Sequence, residues 1–482
     1  MKQCKVLSVL FAAAVLFISA AVNLAHGQAS PTRTVPSMPS LQDWNLQDEN
    51  SQDDVLTAIG PNVNVTHEKG SQSETSVAVD PTDDSHILMS VNDFNTLPER
   101  PNASTTVYES NDAGATFHSA HFHDLGFCAD GWIAFNAAGT AFVAYECQDK
   151  MTGTFTQRLA YRIGQNPWTY MTFDPNLAGV QPDRDMVSID TSSASPFKNS
   201  VYIGYEDAGS NTAPYVLYSR NGAQNWHRSA LPIGHSSVGV NVSIAVDGTV
   251  YATWEDYLAG EILVVNSTDG GVSWGAPYVV TQYRMKTQQN GNIWWVLIPP
   301  QNVRGILPMP FSAVSPMGSP HAGRLYIAYT DLDPILDGST SIYVRYSDNG
   351  TTWSNEAKVN DDTVHAYHFH PAIAVSNDGL VGVSFYDTRR DAQQKATDQF
   401  ISFSFDGTTW TANSQVTVLQ SDESGRDQIC QPRDESKGAC WQYGDYQGLA
   451  VDSLGTFRLS WTGFLGPPFL SEDDMWGSYV IP

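Results

Sequence analysis

Positive charge is scarce in this chain of 482 residues: 25 lysines and arginines stand against 51 aspartates and glutamates. So acidic a protein is repelled by nucleic acid and by anionic lipid surfaces, which argues against both as partners. Cysteine is also scarce. There are five, and their neighbours show no zinc-ligand spacing. Long apolar runs are scarcer still. The one present, Val6–Val22, follows Lys2 and Lys5 and precedes Ala25-His26-Gly27. That is the pattern of a secretory signal, with cleavage expected before Gln28. Cys4 lies ahead of the run and is no lipoprotein anchor. No second run could cross a bilayer, so a secreted or periplasmic protein without a membrane span is expected. Loss of the two leader lysines takes the formal net charge from −26 to −28. Cys128, Cys147, Cys430 and Cys440 remain, and an oxidising compartment favours disulfides. Near-neighbour pairing gives Cys128–Cys147 and Cys430–Cys440, one of three connectivities open to four cysteines.

Residues 28–59 are rich in Pro, Ser, Gln and Asp and read as a flexible leader. Residues 60–482 carry two alternating patterns. The first is an apolar run, a turn, and a second apolar run ending in an acid or polar residue. It appears in 76–93, 132–146, 186–207, 242–256, 311–331, 372–387 and 449–463. Alternation with period two around Asp, Asn, Gly or Pro predicts a β-hairpin each time. The second is a strand, a polar turn and an aromatic, clearest in SNDAGATF (110–117), STDGGVSW (267–274) and YSDNGTTW (346–353). Worn copies are SRNGAQNW, FSFDGTTW and YRIGQNPW. In such a turn the Asp side chain accepts amide hydrogens, Gly supplies positive φ and the aromatic packs beneath.

Hairpin plus turn-hairpin makes a four-stranded antiparallel unit, which predicts an all-β propeller in one domain. Seven blades are favoured, with six as the alternative. The seventh hairpin is followed only by one strand, Met475–Ile481, so Val63–Thr66 is expected to supply its outer strand and close the ring.

The turns SNDAGATF, STDGGVSW and YSDNGTTW resemble the Asp-box, or bacterial neuraminidase, repeats of the sialidase superfamily. The resemblance spans residues 60–482 and implies a propeller that acts on, or binds, carbohydrate. Asp boxes also support assembly factors and non-catalytic modules, so those readings stay open. Sialidases grip a substrate carboxylate with arginines and use an Asp acid with a Tyr–Glu nucleophile pair. On that pattern Arg184 and Arg389 or Arg390 are carboxylate grips, Asp387 or Asp183 is the proton donor, and Tyr446, beside Asp445, is a nucleophile candidate. The Arg-Ile-Pro motif of sialidases has no counterpart here; the nearest string, Tyr161-Arg162-Ile163-Gly164, falls inside a worn turn.

Blade connectivity places the polar turns on one face and the hairpin ends on the other, where function is expected. Hairpin ends carry Asp93, Glu146, Glu206, Asp207, Glu255, Asp256, Asp331 and Asp387. Crowded carboxylates raise one another's pKa or hold a cation, and oxygen ligands suit a structural Ca²⁺. Approaches to the first strands add QPDRD (181–185), HAYHFHP (365–371) and WQYGDYQG (441–448). His368 and His370 would share one face as two metal ligands might, without a third ligand in view. Arg389 and Arg390 in FYDTRRD either grip an anionic sugar or form a strut with Asp387 and Asp391. The long insertion 275–310, with Arg284, Trp294, Trp295 and Arg304, is expected as a flap whose tryptophans stack on sugar or anchor it. Residues 411–447 form a second flap candidate. The expected partner is carbohydrate, with no cofactor beyond the Ca²⁺ just mentioned, and a monomer is expected.

Overall fold

The computed structural model describes residues 57–482 other than 68–70, 94–103, 123–126, 150, 180, 286–287, 291–292, 337, 425–441 and 465–473; the side chains of 288–290 and 293–294 are also outside it. The signal and most of the leader, the Cys430–Cys440 pair, Trp441 and the Trp294 side chain therefore lie outside the described residues.

The second strand of each hairpin explains the architecture. Val201–Asp207, Val250–Asp256, Val381–Asp387 and Phe457–Gly463 are buried at every position. A strand with only one covered face would alternate, so these strands must be covered on both. Val201, Ile203 and Tyr205 pack with Phe142, Ala144 and Leu159, whereas Tyr202 packs with Val240, Val242 and Trp254. Alternate side chains thus serve two different neighbouring sheets. Fully burying such a side chain is worth about 1.5–3 kcal/mol, so stacking sheets in a ring satisfies each one twice over. Between Tyr202 and Tyr205, Gly204 lets the next sheet come close: a Cβ there would stand 2.3 Å from the Val240 carbonyl oxygen.

The result is a seven-bladed propeller of four-stranded antiparallel sheets. Blades 1 to 7 occupy residues 72–119, 127–172, 182–230, 237–282, 311–358, 368–415 and 448–481. All seven expected hairpins form. Blade 7 takes its fourth strand from the other end of the chain: Ala58–Ile59 and Val63–Asn64 both pair antiparallel with Asp474–Ile481. The Asn64 and Thr66 side chains donate to Asp474 at 2.8 and 3.0 Å, fixing this closure. The last sheet edge is thereby covered.

The polar turns work as local chemistry predicts, with one addition. Asp269 accepts from the Val272 and Ser273 amides at 3.1 and 2.9 Å, and the buried Ser267 hydroxyl donates to it at 2.7 Å while accepting from the Gly271 amide at 2.9 Å. Asp112 and Asp406 repeat this with Ser110 and Ser404, and Asn349 and Asn221 replace the acid in two other copies. In blade 2 the acid is missing. There Arg162 reaches Glu109 of blade 1 at 2.8 Å and lies 4.8 Å over the Trp168 ring.

Cys128 and Cys147 are directly opposite on the first two strands of blade 2 and form a disulfide, with a Cα–Cα distance of 4.0 Å. The expected flap is shorter than residues 275–310. Tyr278–Gln282 is the outer strand of blade 4, and a separate three-stranded sheet follows: Gln288–Asn290, Ile293–Ile298 and Gln301–Ile306. Among the described residues no helix is long and apolar enough to cross a membrane.

Candidate functional site

One backbone irregularity recurs in blade after blade. The pairing of first and second strands skips between Ser73 and Ser76, Ala129 and Trp132, Asp183 and Met186, Val238 and Asn241, and Phe369 and Ala372. Each skip is a β-bulge, and within each sits a residue of positive φ: Glu74 at 61°, Asp130 at 56°, Arg184 at 57°, Gly239 at 68° and His370 at 49°. Only the fourth is the glycine such a conformation favours. Holding a charged or imidazole side chain there costs about 1–3 kcal/mol, and strain of this kind gathers at functional sites. A bulge also re-aims the side chain it carries. Here Glu74, Asp130 and Arg184 meet on the face opposite the polar turns.

The two terminal nitrogens of Arg184 are engaged, while its buried Nε has no partner among the described residues. Its guanidinium donates to Asp183 at 2.8 Å, Glu206 at 2.9 Å and Asp445 at 2.6 Å. Asp445 in turn lies between two guanidiniums, because Arg304 of the flap donates to it at 2.9 and 2.6 Å and to Glu74 at 3.1 Å. The Trp295 ring is within cation–π reach of both, 4.7 Å from Arg304 and 5.8 Å from Arg184. Asn92 donates to Glu74 at 2.5 Å and to Asp130 at 2.9 Å. Flap and blade 7 are locked together: Gln301 donates to the Gly444 carbonyl at 2.9 Å and accepts from the Tyr443 amide at 3.0 Å.

Hairpin ends divide by the period of the strand. Glu206 and Glu255 turn inward, to Arg184 at 2.9 Å and to the Tyr283 hydroxyl at 3.0 Å. Their neighbours Asp207 and Asp256 turn the other way and accept amides of their own loops, from Gly209 at 3.0 Å and Leu258 at 3.1 Å. Asp387 belongs to this second column, opposite His368 as Asp256 is opposite Ser237.

Acids outnumber cations in the inward cluster, and burial does the rest. Glu146 and Glu206 are held well above the usual carboxylate range, first by burial; nearby Asp130 and Asp185 add to the effect at Glu146, and Asp183 at Glu206. Burial likewise pushes Asp183 up to about 6 and Asp185 and Glu255 to about 8. Asp445 goes the other way, to about 2: burial opposes its charge, but Arg304 and Arg184 outweigh burial. Burial holds His370 down at about 3, hence neutral. Of the three acids bonded to Arg184, Asp183 alone is substantially open, with 32% of its side chain exposed, whereas Glu206 and Asp445 are buried.

The expected site residues therefore fall into two places. Asp183, Arg184, Asp445, Tyr446 and Trp295 come together at the cluster. Tyr446 is buried, and burial followed by the surrounding acids raises its pKa, so its phenol stays protonated. Asp387, Arg389 and Arg390 form a separate group between blades 5 and 6. Arg389 donates to Asp387 at 2.6 Å, Asp361 at 2.5 Å and Asn413 at 2.8 Å, and covers the Phe400 ring at 4.6 Å. Arg390, nearly half exposed, reaches Asp398 at 3.3 Å. These arginines lie apart from Arg184, and the expected strut forms only in part: Asp387 pairs with Arg389, but Asp391 instead accepts the amides of Gln393, Lys395 and Ala396. His368 sits within it, 3.0 Å from Asp362 and 3.2 Å from Asp387. Burial alone would lower His368, but those two carboxylates raise it to about 9. The bulge after Phe369 parts the two histidines, so they do not act as a pair: His370 packs against Phe369 and Tyr386 instead. Arg304, expected as part of the flap, and the acids at the bulges, Glu74 and Asp130, complete the cluster; the two acids were not singled out by sequence.

A cavity of about 620 Å³ lies among the first strands, lined in part by Ser188, Asn241, Ser243 and Ser312, with Asp190 the only acid among its described lining residues. Trp132 forms part of this lining and meets Tyr446 at 5.4 Å and Phe311 at 6.2 Å. The charged cluster thus lies away from this cavity.

No protein-family model and no curated protein sequence matches the chain. Among solved structures it is similar to a protein of unknown function from Dyadobacter fermentans, at 12% identity and a TM-score of 0.46, covering 88% of this chain and 98% of that one. A leech intramolecular trans-sialidase gives 10% identity and 0.46, covering 68% and 67%. An α-L-arabinofuranosidase of Fusarium graminearum gives 12% and 0.43, covering 87% and 97%. Likenesses of this size do not identify the family or the activity.

Proposed function

We propose that the chain is an exported glycoside hydrolase of sialidase type, acting on acidic glycans at the face opposite the polar turns. One observation carries this reading: Asp183, a part-exposed carboxyl held at about 6, stands 2.8 Å from a buried guanidinium. A carboxyl protonated near neutral pH can donate to a glycosidic oxygen, which is the general-acid half of glycoside hydrolysis. Arg184 and Arg304 take the role of anion grip, because guanidinium forks suit carboxylates and sulfates. Asp445 now occupies both forks, and an acidic sugar would compete with it for them. Trp295 supplies an aromatic wall. The signal sequence and the Cys128–Cys147 disulfide support export.

The test is turnover of a panel of fluorogenic sialosides, uronides and neutral glycosides by the mature chain. Expected is activity that falls at least a hundredfold in Asp183→Asn, with the alkaline limb of the wild-type pH profile near pH 6. Arg304→Lys should raise KM more than it lowers kcat, and Arg389→Ala should retain both below its melting temperature. Absence of turnover across the panel, or full activity in Asp183→Asn, would sink the proposal. A non-catalytic glycan- or protein-binding module is the second reading, and the closed Arg184–Asp445–Arg304 bridge favours it. It would appear as ligand retention on a glycan array without hydrolysis.

A further inference from the structure

We propose that Asp130, Glu146, Asp183 and Asp185, at the junction of blades 2 and 3, bind one hard divalent cation of the Ca²⁺ class. Single carboxylate oxygens of Asp130, Glu146 and Asp183 all lie within 4.8 Å of one another. Acidic neighbours alone would mean little; the decisive feature is what they lack. Among the described residues no donor in hydrogen-bond geometry reaches either carboxylate oxygen of Asp185 or Oε2 of Glu146, although these residues are only 1% and 4% exposed; what lies near Asp185 is the Glu146 carboxyl and the Gln157 amide. The Tyr446 hydroxyl, 1% exposed and in the electrostatic neighbourhood of Asp130 and Glu146, is likewise without a hydrogen-bond partner among them. Buried carboxylates are found paired, hydrogen-bonded or ligating a metal.

The cations on hand do not meet the demand. Asp130 accepts from Asn92 at 2.9 Å and from the Arg184 amide at 3.2 Å, both neutral donors. Arg184 gives Asp183 a single bond and spends the rest of its fork on Glu206 and Asp445. Four acids therefore face one shared positive charge. Oxygen-only donors, two of them uncommitted and three coming from bulged or bulge-flanking positions, suit Ca²⁺ better than metals that prefer nitrogen or sulfur. The bulge of blade 2 points Asp130, the one acid of this group at positive φ, at the common centre, and a bound ion would offset its strain. The two proposals share Asp183: a carboxylate that ligates the ion cannot donate a proton, so Ca²⁺ should suppress hydrolysis, and the binding test relies on Glu146 and Asp185, which the hydrolytic reading does not use.

The mature chain, stripped with chelator and desalted, would be titrated calorimetrically with CaCl₂ at pH 7.5, with MgCl₂ and ZnCl₂ in parallel. Expected is one Ca²⁺ per chain with proton release, detected as a dependence of the heat on buffer ionisation enthalpy, and a rise in melting temperature. Asp185→Asn and Glu146→Gln should each weaken Ca²⁺ at least tenfold, whereas Asp362→Asn in the His368 group should leave the affinity unchanged. Wild type alone can overturn the idea: no heat and no thermal shift with Ca²⁺ would mean that Glu146 and Asp185 share a proton instead. Undiminished Ca²⁺ binding in both variants, or a response to Zn²⁺ but not Ca²⁺, would overturn it as well.

Discussion

Replacing Arg184 by methionine keeps length and bulk but removes the charge that three carboxyls share. Asp183, Glu206 and Asp445 lose donors at 2.8, 2.9 and 2.6 Å. Breaking a buried ion pair from one side costs about 3–5 kcal/mol, because the remaining charge stays desolvated. Two features pull the expectation toward the lower end. Asp445 keeps Arg304, and Asp183 keeps partial contact with water. We therefore expect a loss of about 3 kcal/mol at pH 7. Methionine inherits the same φ of 57°, so backbone strain is common to both proteins and cancels. Urea unfolding followed by tryptophan fluorescence reads the loss as a shifted midpoint at constant slope. The gap should narrow at pH 5, where the released carboxyls protonate. A single variant within about 0.5 kcal/mol of wild type would show that water already reaches the guanidinium, and the buried-cluster account would fail.

Stability should decline from about pH 5 toward pH 9 in metal-free protein. Asp183, Asp185 and Glu255 have folded pKa values of about 6, 8 and 8, above those of the unfolded chain, so the native state binds more protons in this window and each rise in pH weakens it. His368, at about 9, acts in the same direction: its contribution is complete below the unfolded value and is lost as pH rises through 9. Melting temperatures across pH 5–9 check this, and a flat or rising curve contradicts it; Ca²⁺ should flatten the lower part of the decline. Below pH 4 the trend reverses, since Glu109 and Asp269, at about 2, lose their stabilising charge as they protonate. Reduction of Cys128–Cys147, which closes a separation of 19 residues, should cost about 2–4 kcal/mol, read from melts with and without reductant. Deleting residues 57–66 uncovers the edge of Asp474–Ile481 and removes both donors to Asp474, so the truncated chain should associate or unfold where the parent stays dispersed in light scattering.

The features legible in the sequence are those whose causes span only a few residues. Asp269 and the amides it accepts lie within four positions of one another, so the turn is spelled out as STDGGVSW. The hairpins are equally local, and ring closure could be inferred because the last hairpin lacks a partner strand. The cluster is different. Its geometry depends on bulges at Glu74, Asp130, Arg184 and His370, and no residue there except the glycine of blade 4 announces a positive φ. A bulge advances the register by one and exchanges inward for outward, so counting along HFH or PDRD could not say which side chain faces the centre. A usable signal did exist in the second strands. Glu206-Asp207 and Glu255-Asp256 alternate inward acid and outward cap, and the same column assigns inward Tyr386 and capping Asp387. Read that way, Asp387 belongs with its own loop, and Arg389, whose amide it accepts at 2.7 Å, belongs with it. The partners that complete the strut, Asp361 and Asn413, stand 28 and 24 residues away from Arg389 along the chain. A pair of arginines between aspartates thus has its meaning settled by the connection from one blade to the next, which short-range spacing cannot express.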